Sequence, residues 1–232
     1  EHAGRSRAGS SGGGLHDVRT LPDGPSPAGG AANSRRTRSG DQTVAMGTHD
    51  GERRPTAVVT GGGGGIGRAA VERFLAEGWS VVAGDLNSDR GASLLADLNA
   101  GDRLEFLEVD VASEVDVEAL VGLAVDRFGG VDVMFNNAGI GGAFGPITEQ
   151  TVDEWDATFA VNMRSVFLGT KHAARAMIEG GHGGAIVNTA SVAGLTGGGG
   201  PQAYSATKSG VISLTMSTAV ELAEHRIRVN AI

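Results

Sequence analysis

Tyr204 and Lys208 stand four residues apart in Tyr204-Ser205-Ala206-Thr207-Lys208. They are the chain's single tyrosine and one of its two lysines. On a helix such a pair lies on one face, about one turn apart. An ammonium beside a phenol favours its ionised form and lowers a pKa that is ordinarily about 10. A phenol so poised can give or take a proton at an alcohol or carbonyl oxygen. The plain alternative is an amphipathic helix with a surface lysine and an interfacial tyrosine. Spacing alone does not choose between the two.

A second set of residues suits a phosphate. Thr60-Gly61-Gly62-Gly63-Gly64-Gly65-Ile66-Gly67 follows directly on the apolar run Ala57-Val58-Val59. Glycines let the backbone turn sharply and approach a pyrophosphate, and the helix N-terminus behind them offers free N–H groups. Gly61, Gly65, Ile66 and Gly67 are therefore candidate cofactor contacts. Arg68-Ala69 follows where a P-loop requires Lys-Ser/Thr. Asp85 ends the next apolar run, 24 residues after Gly61. There a carboxylate accepts hydrogen bonds from the adenosine ribose and repels a 2′-phosphate. No Arg or Lys follows until Arg90, so NAD is expected ahead of NADP. Asp85 could instead open a turn with Asn87. Asp110-Val111, after the third run, is placed to meet the adenine.

The elements that must carry these residues alternate. Short β-type runs are expected at Ala57–Val59, Ser80–Gly84, Leu104–Val109, Val131–Phe135, Ala185–Asn188 and Ile227–Ala231. Helices are expected at Ile66–Glu77, Ser88–Asn99, from Ser113 to Gly129-Gly130, from Thr151 to about Ile178 with room for a break, and at Tyr204–Glu224. Ser113 with Asp116 and Thr151 with Glu154 give capping-box starts. Strands alternating with helices imply parallel pairing and right-handed crossovers, hence a doubly wound α/β sheet of the Rossmann type. One such domain is expected over residues 51–232.

Residues 1–50 mix Gly, Ser, Arg and Pro without a hydrophobic period. Such a segment cannot bury enough apolar surface to offset its ordering entropy, and a disordered extension is expected. The working protein is expected to start near Met46. A formal charge of −8 argues against nucleic acid or an anionic membrane as the main partner. With no cysteine there are no disulfides and no thiolate chemistry. No apolar run approaches the roughly 20 residues of a membrane helix, and a cytoplasmic location is expected. His172, His182 and His225 have no ligand spacing; they are read as solvated or capping residues, and no metal site is expected.

Together, Thr60 to Gly67, Asp85, Asp110, Asn136-Asn137-Ala138-Gly139, Asn162, Ser191, Tyr204, Lys208 and the closing Arg228-Val229-Asn230-Ala231-Ile232 resemble a classical short-chain dehydrogenase/reductase. The resemblance covers about residue 55 to the end. It implies hydride transfer between NAD(H) and a secondary alcohol or ketone. Tyr204 would act as general acid/base, with Lys208 holding the nicotinamide ribose and favouring the phenolate. Ser191 would bond the substrate oxygen, and the backbone of Asn162 would hold a proton-relaying water. Asn137, Ala138 and Gly139 would floor the cofactor site. It also implies a homodimer or homotetramer joined through helices bearing Val166, Phe167, Leu168 and Val211, Ile212, Leu214, Met216; packing against the sheet is the other reading of those faces. An NADPH-dependent 3-oxoacyl-type reductase and an inactive nucleotide-binding relative are the competing functions. Relatives continue past the sixth strand into a substrate-covering segment and a seventh strand, so the sequence is expected to be C-terminally partial. The segments Ile140–Ile147 and Val192–Gln202 carry no charge, which favours a neutral substrate.

Overall fold

The computed structural model of the chain describes residues 53–232. The expected extension over residues 1–50 and the start near Met46 lie outside the described residues. Six strands and six helices follow in the order β1 Thr56–Thr60, α1 Gly65–Ala76, β2 Ser80–Asp85, α2 Ser88–Leu98, β3 Leu104–Glu108, α3 Glu114–Phe128, β4 Val133–Asn136, α4 Val152–Phe159, α5 Ser165–Gly180, β5 Gly184–Asn188, α6 Gln202–Leu222 and β6 Ile227–Ala231. The sheet order is β3-β2-β1-β4-β5-β6 and every pair is parallel. Growth of the sheet reverses after β3, which leaves a crevice at the carboxyl ends of β1 and β4. Doubly wound sheets bind their ligands in that crevice.

Two faces of the sheet are buried, so its central strands read as continuous apolar runs. Val58, Val82, Met134 and Ile186 point to one face, where Leu120 and Ala124 of α3, Ala173 and Met177 of α5 and Leu222 of α6 meet them. Val59, Val81, Ala83 and Phe135 point to the other, against Val71 and Leu75 of α1 and Leu94 of α2. Each fully buried Val or Leu contributes about 1.5–3 kcal/mol. The helices start where side chains can cap them. Asn87 accepts from Arg90 N at the head of α2, and Thr151 with Glu154 forms a reciprocal capping box on α4. Ser113 caps α3, but one oxygen of Asp116 turns outward to accept from Asp110 N at 3.0 Å.

The long helical stretch expected from Thr151 is broken by a π-helical turn at Ala160–Arg164, between α4 and α5. Among the described residues no helix is long and apolar enough to cross a membrane.

Two histidines depart from the expected solvated or capping roles. His172 is buried, with Nε2 3.3 Å from Glu114 Oε1 across the α3–α5 contact. His182 belongs to a clasp at the amino end of the sheet. Asp132 there accepts a bidentate pair from Arg53 at 2.7 and 3.0 Å and the backbone N–H of Thr56 at 2.6 Å. The same guanidinium lies 2.7 Å from His182 Nε2. Asp132 thereby ties the entry of β1 to the entry of β4. Asp132→Ala strands these donors in a half-buried place, and a loss of about 2 kcal/mol is expected. Urea unfolding followed by circular dichroism checks it; an unchanged midpoint would show the clasp to be ornamental.

Candidate active site

Gly61 and Gly67 show why the loop after β1 is made of glycine. Gly61 has φ +65°, and a Cβ on Gly67 would stand 2.0 Å from the carbonyl oxygen of Gly61. The loop can therefore close on itself only without side chains. It leads into α1, whose N-cap position is Gly64 with no side-chain cap and no acid in the first turn. Uncapped N–H groups and the positive end of the helix dipole consequently face the crevice.

The far wall is tied to this loop by one hydroxyl. Thr60 Oγ1 accepts from Asn137 N at 3.0 Å and Ala138 N at 3.2 Å, while Asn137 Nδ2 donates to Thr60 O at 3.0 Å. The ends of β1 and β4 are thus stitched together across the switch point. Between them opens a cleft of about 420 Å³ lined by Gly61, Gly64, Gly65, Asp85, Leu86, Arg90, Val109, Asp110, Val111, Asn137, Ala138, Gly139, Ile140 and Val161. Most of the residues expected to bind a cofactor meet there. Gly67 is buried behind the loop and Ile66 stands exposed at the start of α1.

Asp85 is more committed than the sequence suggests. Its Oδ2 accepts from Gly63 N and its Oδ1 from Asn87 N, both at 3.0 Å. The carboxylate is therefore a brace for the glycine loop as well as the opener of a turn with Asn87. Asp110 Oδ1 accepts from Ala112 N at 2.9 Å.

Lys208 is the buried cation of the site, 3% exposed. Its Nζ donates to Thr189 O at 2.6 Å and lies 5.5 Å from the centre of the Tyr204 ring. It is also 3.8 Å from the place a Cβ on Gly139 would occupy, so the ammonium stands between Tyr204 and the cleft. Burial pushes its pKa below the ordinary lysine value. The helix that carries the pair is held in register by a buried polar chain. Asn136 Nδ2 donates to Asn188 Oδ1 at 2.9 Å, and Asn188 Nδ2 donates to Thr215 Oγ1 at 2.9 Å, two turns beyond Lys208 on α6.

Ser191 Oγ accepts from Ala193 N at 3.1 Å and opens a 3₁₀ turn at Val192–Gly194. That turn lies against the backbone of Lys208 and Ser209, where Ser209 Oγ donates to Gly194 O at 2.6 Å. Ser191 keeps its own hydroxyl proton for another acceptor. Asn162, within the π turn, is fully buried and uses its side chain. Oδ1 accepts from Ile140 N and Nδ2 donates to Ile140 O, both at 2.8 Å. The sequence reading gave Asn162 only a backbone role. It missed this clamp and also missed Thr189, Asn188 and Thr215. The available signal was a polar residue at the end of an otherwise apolar strand.

Residues 55–232 match the profile of the short chain dehydrogenase family. The chain belongs to that family. Its members are oxidoreductases acting on CH–OH groups. It is 46% identical over 178 residues to 3beta-hydroxysteroid dehydrogenase 2 of Eggerthella lenta, across 76% of this chain and 68% of that one. It is 41% identical over 177 residues to (+)-borneol dehydrogenase 2 of Salvia officinalis, across 76% of this chain and 62% of the relative. The chain thus spans about two thirds of the length of these relatives. Among solved structures it resembles NAD+-bound xylitol dehydrogenase, with a TM-score of 0.73, 36% identity and coverage of 78% and 70%. Levodione reductase gives a TM-score of 0.73 at 38% identity, again covering 78% and 70%.

The glycine contact yields a direct test. Gly67→Ala forces a Cβ against the Gly61 carbonyl, so the loop must open. Dinucleotide affinity is expected to fall at least about tenfold, with about 1–3 kcal/mol of stability lost to overpacking. Titration by quenching of tryptophan fluorescence reads the first and urea unfolding the second. Unaltered affinity would refute the tight loop.

Proposed function

We propose that the protein transfers hydride between NAD(H) and a neutral secondary alcohol or ketone, with Tyr204 as general acid/base. One observation carries this reading. The ammonium of Lys208 is buried without a carboxylate partner among the described residues, between the ring of Tyr204 and a glycine-walled cleft. A charge held at such cost invites a catalytic role.

The dinucleotide fits the residues present. The side-chain-free loop and uncapped helix start would take its pyrophosphate. Asp85 has lone pairs left for ribose hydroxyls beyond its two backbone donors, and Asp110 and Val111 would flank the adenine. When bound, the nicotinamide supplies the acceptor or donor of hydride. In the direction of oxidation, Tyr204 as phenolate takes the proton from the substrate hydroxyl, and Ser191 donates its free proton to the same oxygen. Lys208 stabilises negative charge on Tyr204 by Coulomb attraction in a water-poor setting. Its ammonium has donors left for ribose hydroxyls. Asn162 holds Ile140, and with it Gly139, at the distance that lets Lys208 reach the cleft; a water on its backbone would carry the proton onward.

In this reading the substrate lies beside Ser191 and Tyr204, between walls that are neutral and apolar. Ile140, Phe144, Ile147, Val192 and Leu195 are all exposed, on segments free of ionisable side chains that would form these walls. Such a surface suits an alcohol borne on a bulky apolar ring better than a charged or short-chain substrate. The names of the steroid and borneol dehydrogenases are in keeping with it. Residues on α5 and α6 support association with a second copy. Phe167 and Met216 are exposed, whereas Val166, Leu168 and Val211 are buried within the chain. Location in the cytoplasm remains part of the same proposal.

Tyr204→Phe removes the hydroxyl and leaves the cleft intact. Turnover of cyclic secondary alcohols, followed at the absorbance of reduced nicotinamide, is expected to drop at least about a thousandfold. NAD affinity is expected to change less than about threefold. Retained turnover in the purified variant would remove Tyr204 from the chemistry.

A further inference from the structure

In the proposed reading, residues 140–147 and residues 192–202 wall the substrate from two sides. The second segment runs against the reacting phenol, since Tyr204 Cδ1 is 3.2 Å from the place a Cβ on Gly200 would take. The first is pinned to its own side. Asn162 holds Ile140 by both backbone groups, and the buried hydroxyl of Thr158 on α4 accepts from Ala143 N at 3.1 Å. One side chain then reaches across. Gln150, directly before the Thr151 cap of α4, donates from Nε2 to Gly145 O at 3.1 Å and to Gln202 Oε1 at 2.7 Å. Gln202 is the first residue of α6, two before Tyr204. Among the described residues, this amide–amide bond is the only hydrogen bond between residues 140–164 and residues 189–222.

The direction of the bond is fixed by its neighbours. Gly145 offers a carbonyl, which only the nitrogen end of the Gln150 amide can meet. Gln202 must then present its oxygen to that same nitrogen. Gln150 Oε1 is left enclosed with no donor in reach. Such an acceptor loses its hydration without return, a penalty that the two Nε2 bonds must outweigh. The ends of the bond are unequally anchored. Without it, α6 is still held by Lys208 to Thr189 O, Ser209 to Gly194 O and Asn188 to Thr215. Gly145 has φ +100° and nothing within 4 Å of the place its Cβ would take, while Phe144 and Ile147 beside it are exposed. Loss of the bond therefore frees the loop and leaves the helix in place. We infer that Gln150 is a positioning residue: it tethers the loop at residues 144–147 to the start of α6 and so sets the separation of the two substrate walls. The inference rests on the reading that seats the substrate beside Ser191 and Tyr204.

The test is a mutant cycle of Gln150→Leu, Gln202→Leu and the double variant, with Gln202→Glu as the conservative change. Thermal melting confirms that each is folded. Steady-state oxidation of a fused-ring secondary alcohol, decahydro-2-naphthol, gives KM and kcat. Each leucine variant should raise the KM for the alcohol about three- to tenfold, the worth of one neutral hydrogen bond. The kcat and the affinity for NAD should change less than about twofold. The double variant should be no worse than the worse single one, because both remove the same bond. Gln202→Glu keeps an acceptor for Gln150 Nε2 and should stay within about twofold of the parent. Hydrogen exchange reads the tether without turnover: amides of residues 144–150 should exchange faster in both leucine variants, and those of residues 204–215 at the parental rate. Unchanged loop exchange, an unchanged KM, single effects that multiply in the double variant, or Gln202→Glu as impaired as Gln202→Leu each overturns the inference. If the parent oxidises no ring alcohol, or Tyr204→Phe keeps its turnover, the catalytic reading fails instead, and hydrogen exchange still decides the tether.

Discussion

An ammonium buried to 3% exposure, with no carboxylate beside it among the described residues, is the constraint around which the site is arranged. Taking such a charge out of water costs several kcal/mol, and one carbonyl at 2.6 Å does not return it all. The surrounding sheet must supply the remainder. The consequence for pH follows from the direction of the shift. Lys208 is less basic in the folded chain than in the unfolded one, where it titrates near 10.5. Below both values each state holds the proton, and the full cost of burial is present. Between them the unfolded chain binds more protons than the folded one. Stability from this group therefore rises with pH across that window.

The ends of three strands meet around this charge because polar residues there bond sideways. Thr60 joins β1 to the segment after β4, and Asn136 joins β4 to β5. Asn188 then joins β5 to Thr215 of α6, the helix that carries Tyr204 and Lys208. Ser209 fixes the turn opened by Ser191 to that same helix. Across the cleft, the π turn at Ala160–Arg164 carries Asn162, whose amide locks Ile140 by both backbone groups. Each link is a bond with a defined partner, those of Asn136 and Asn188 fully buried, and such bonds specify one arrangement where apolar packing alone tolerates several. Chemistry at one end of the sheet is thereby insulated from the clasp of Arg53, Asp132 and His182 at the other.

Most of the architecture was legible in the residues themselves. Runs such as Ser80–Gly84 and Ala185–Asn188 are too short and too β-branched for helices, and glycine or a cap separates them from the helical stretches. Tyr204, Lys208, Ser191 and the glycine loop announce themselves through residue type and spacing. What sequence could not disclose depends on where side chains meet in space. The engagement of Asp85 with Gly63, the amide clamp of Asn162, and the burial of His172 against Glu114 all join residues distant along the chain. The interruption at Ala160–Arg164 has no breaker residue to mark it, since neither glycine nor proline lies there.

The chain has only Lys171 and Lys208, so protein grown with lysine labelled at the terminal carbon gives two titrating signals, and Lys171→Arg assigns them. Following the Lys208 signal in the folded protein from neutral to alkaline pH tests directly whether its ammonium is held in a water-poor site. A midpoint clearly below the ordinary 10.5 is the expected result. A midpoint at or above that value would mean that Lys208 is solvated or paired, and the account of a buried cation between Tyr204 and the nucleotide cleft would be wrong.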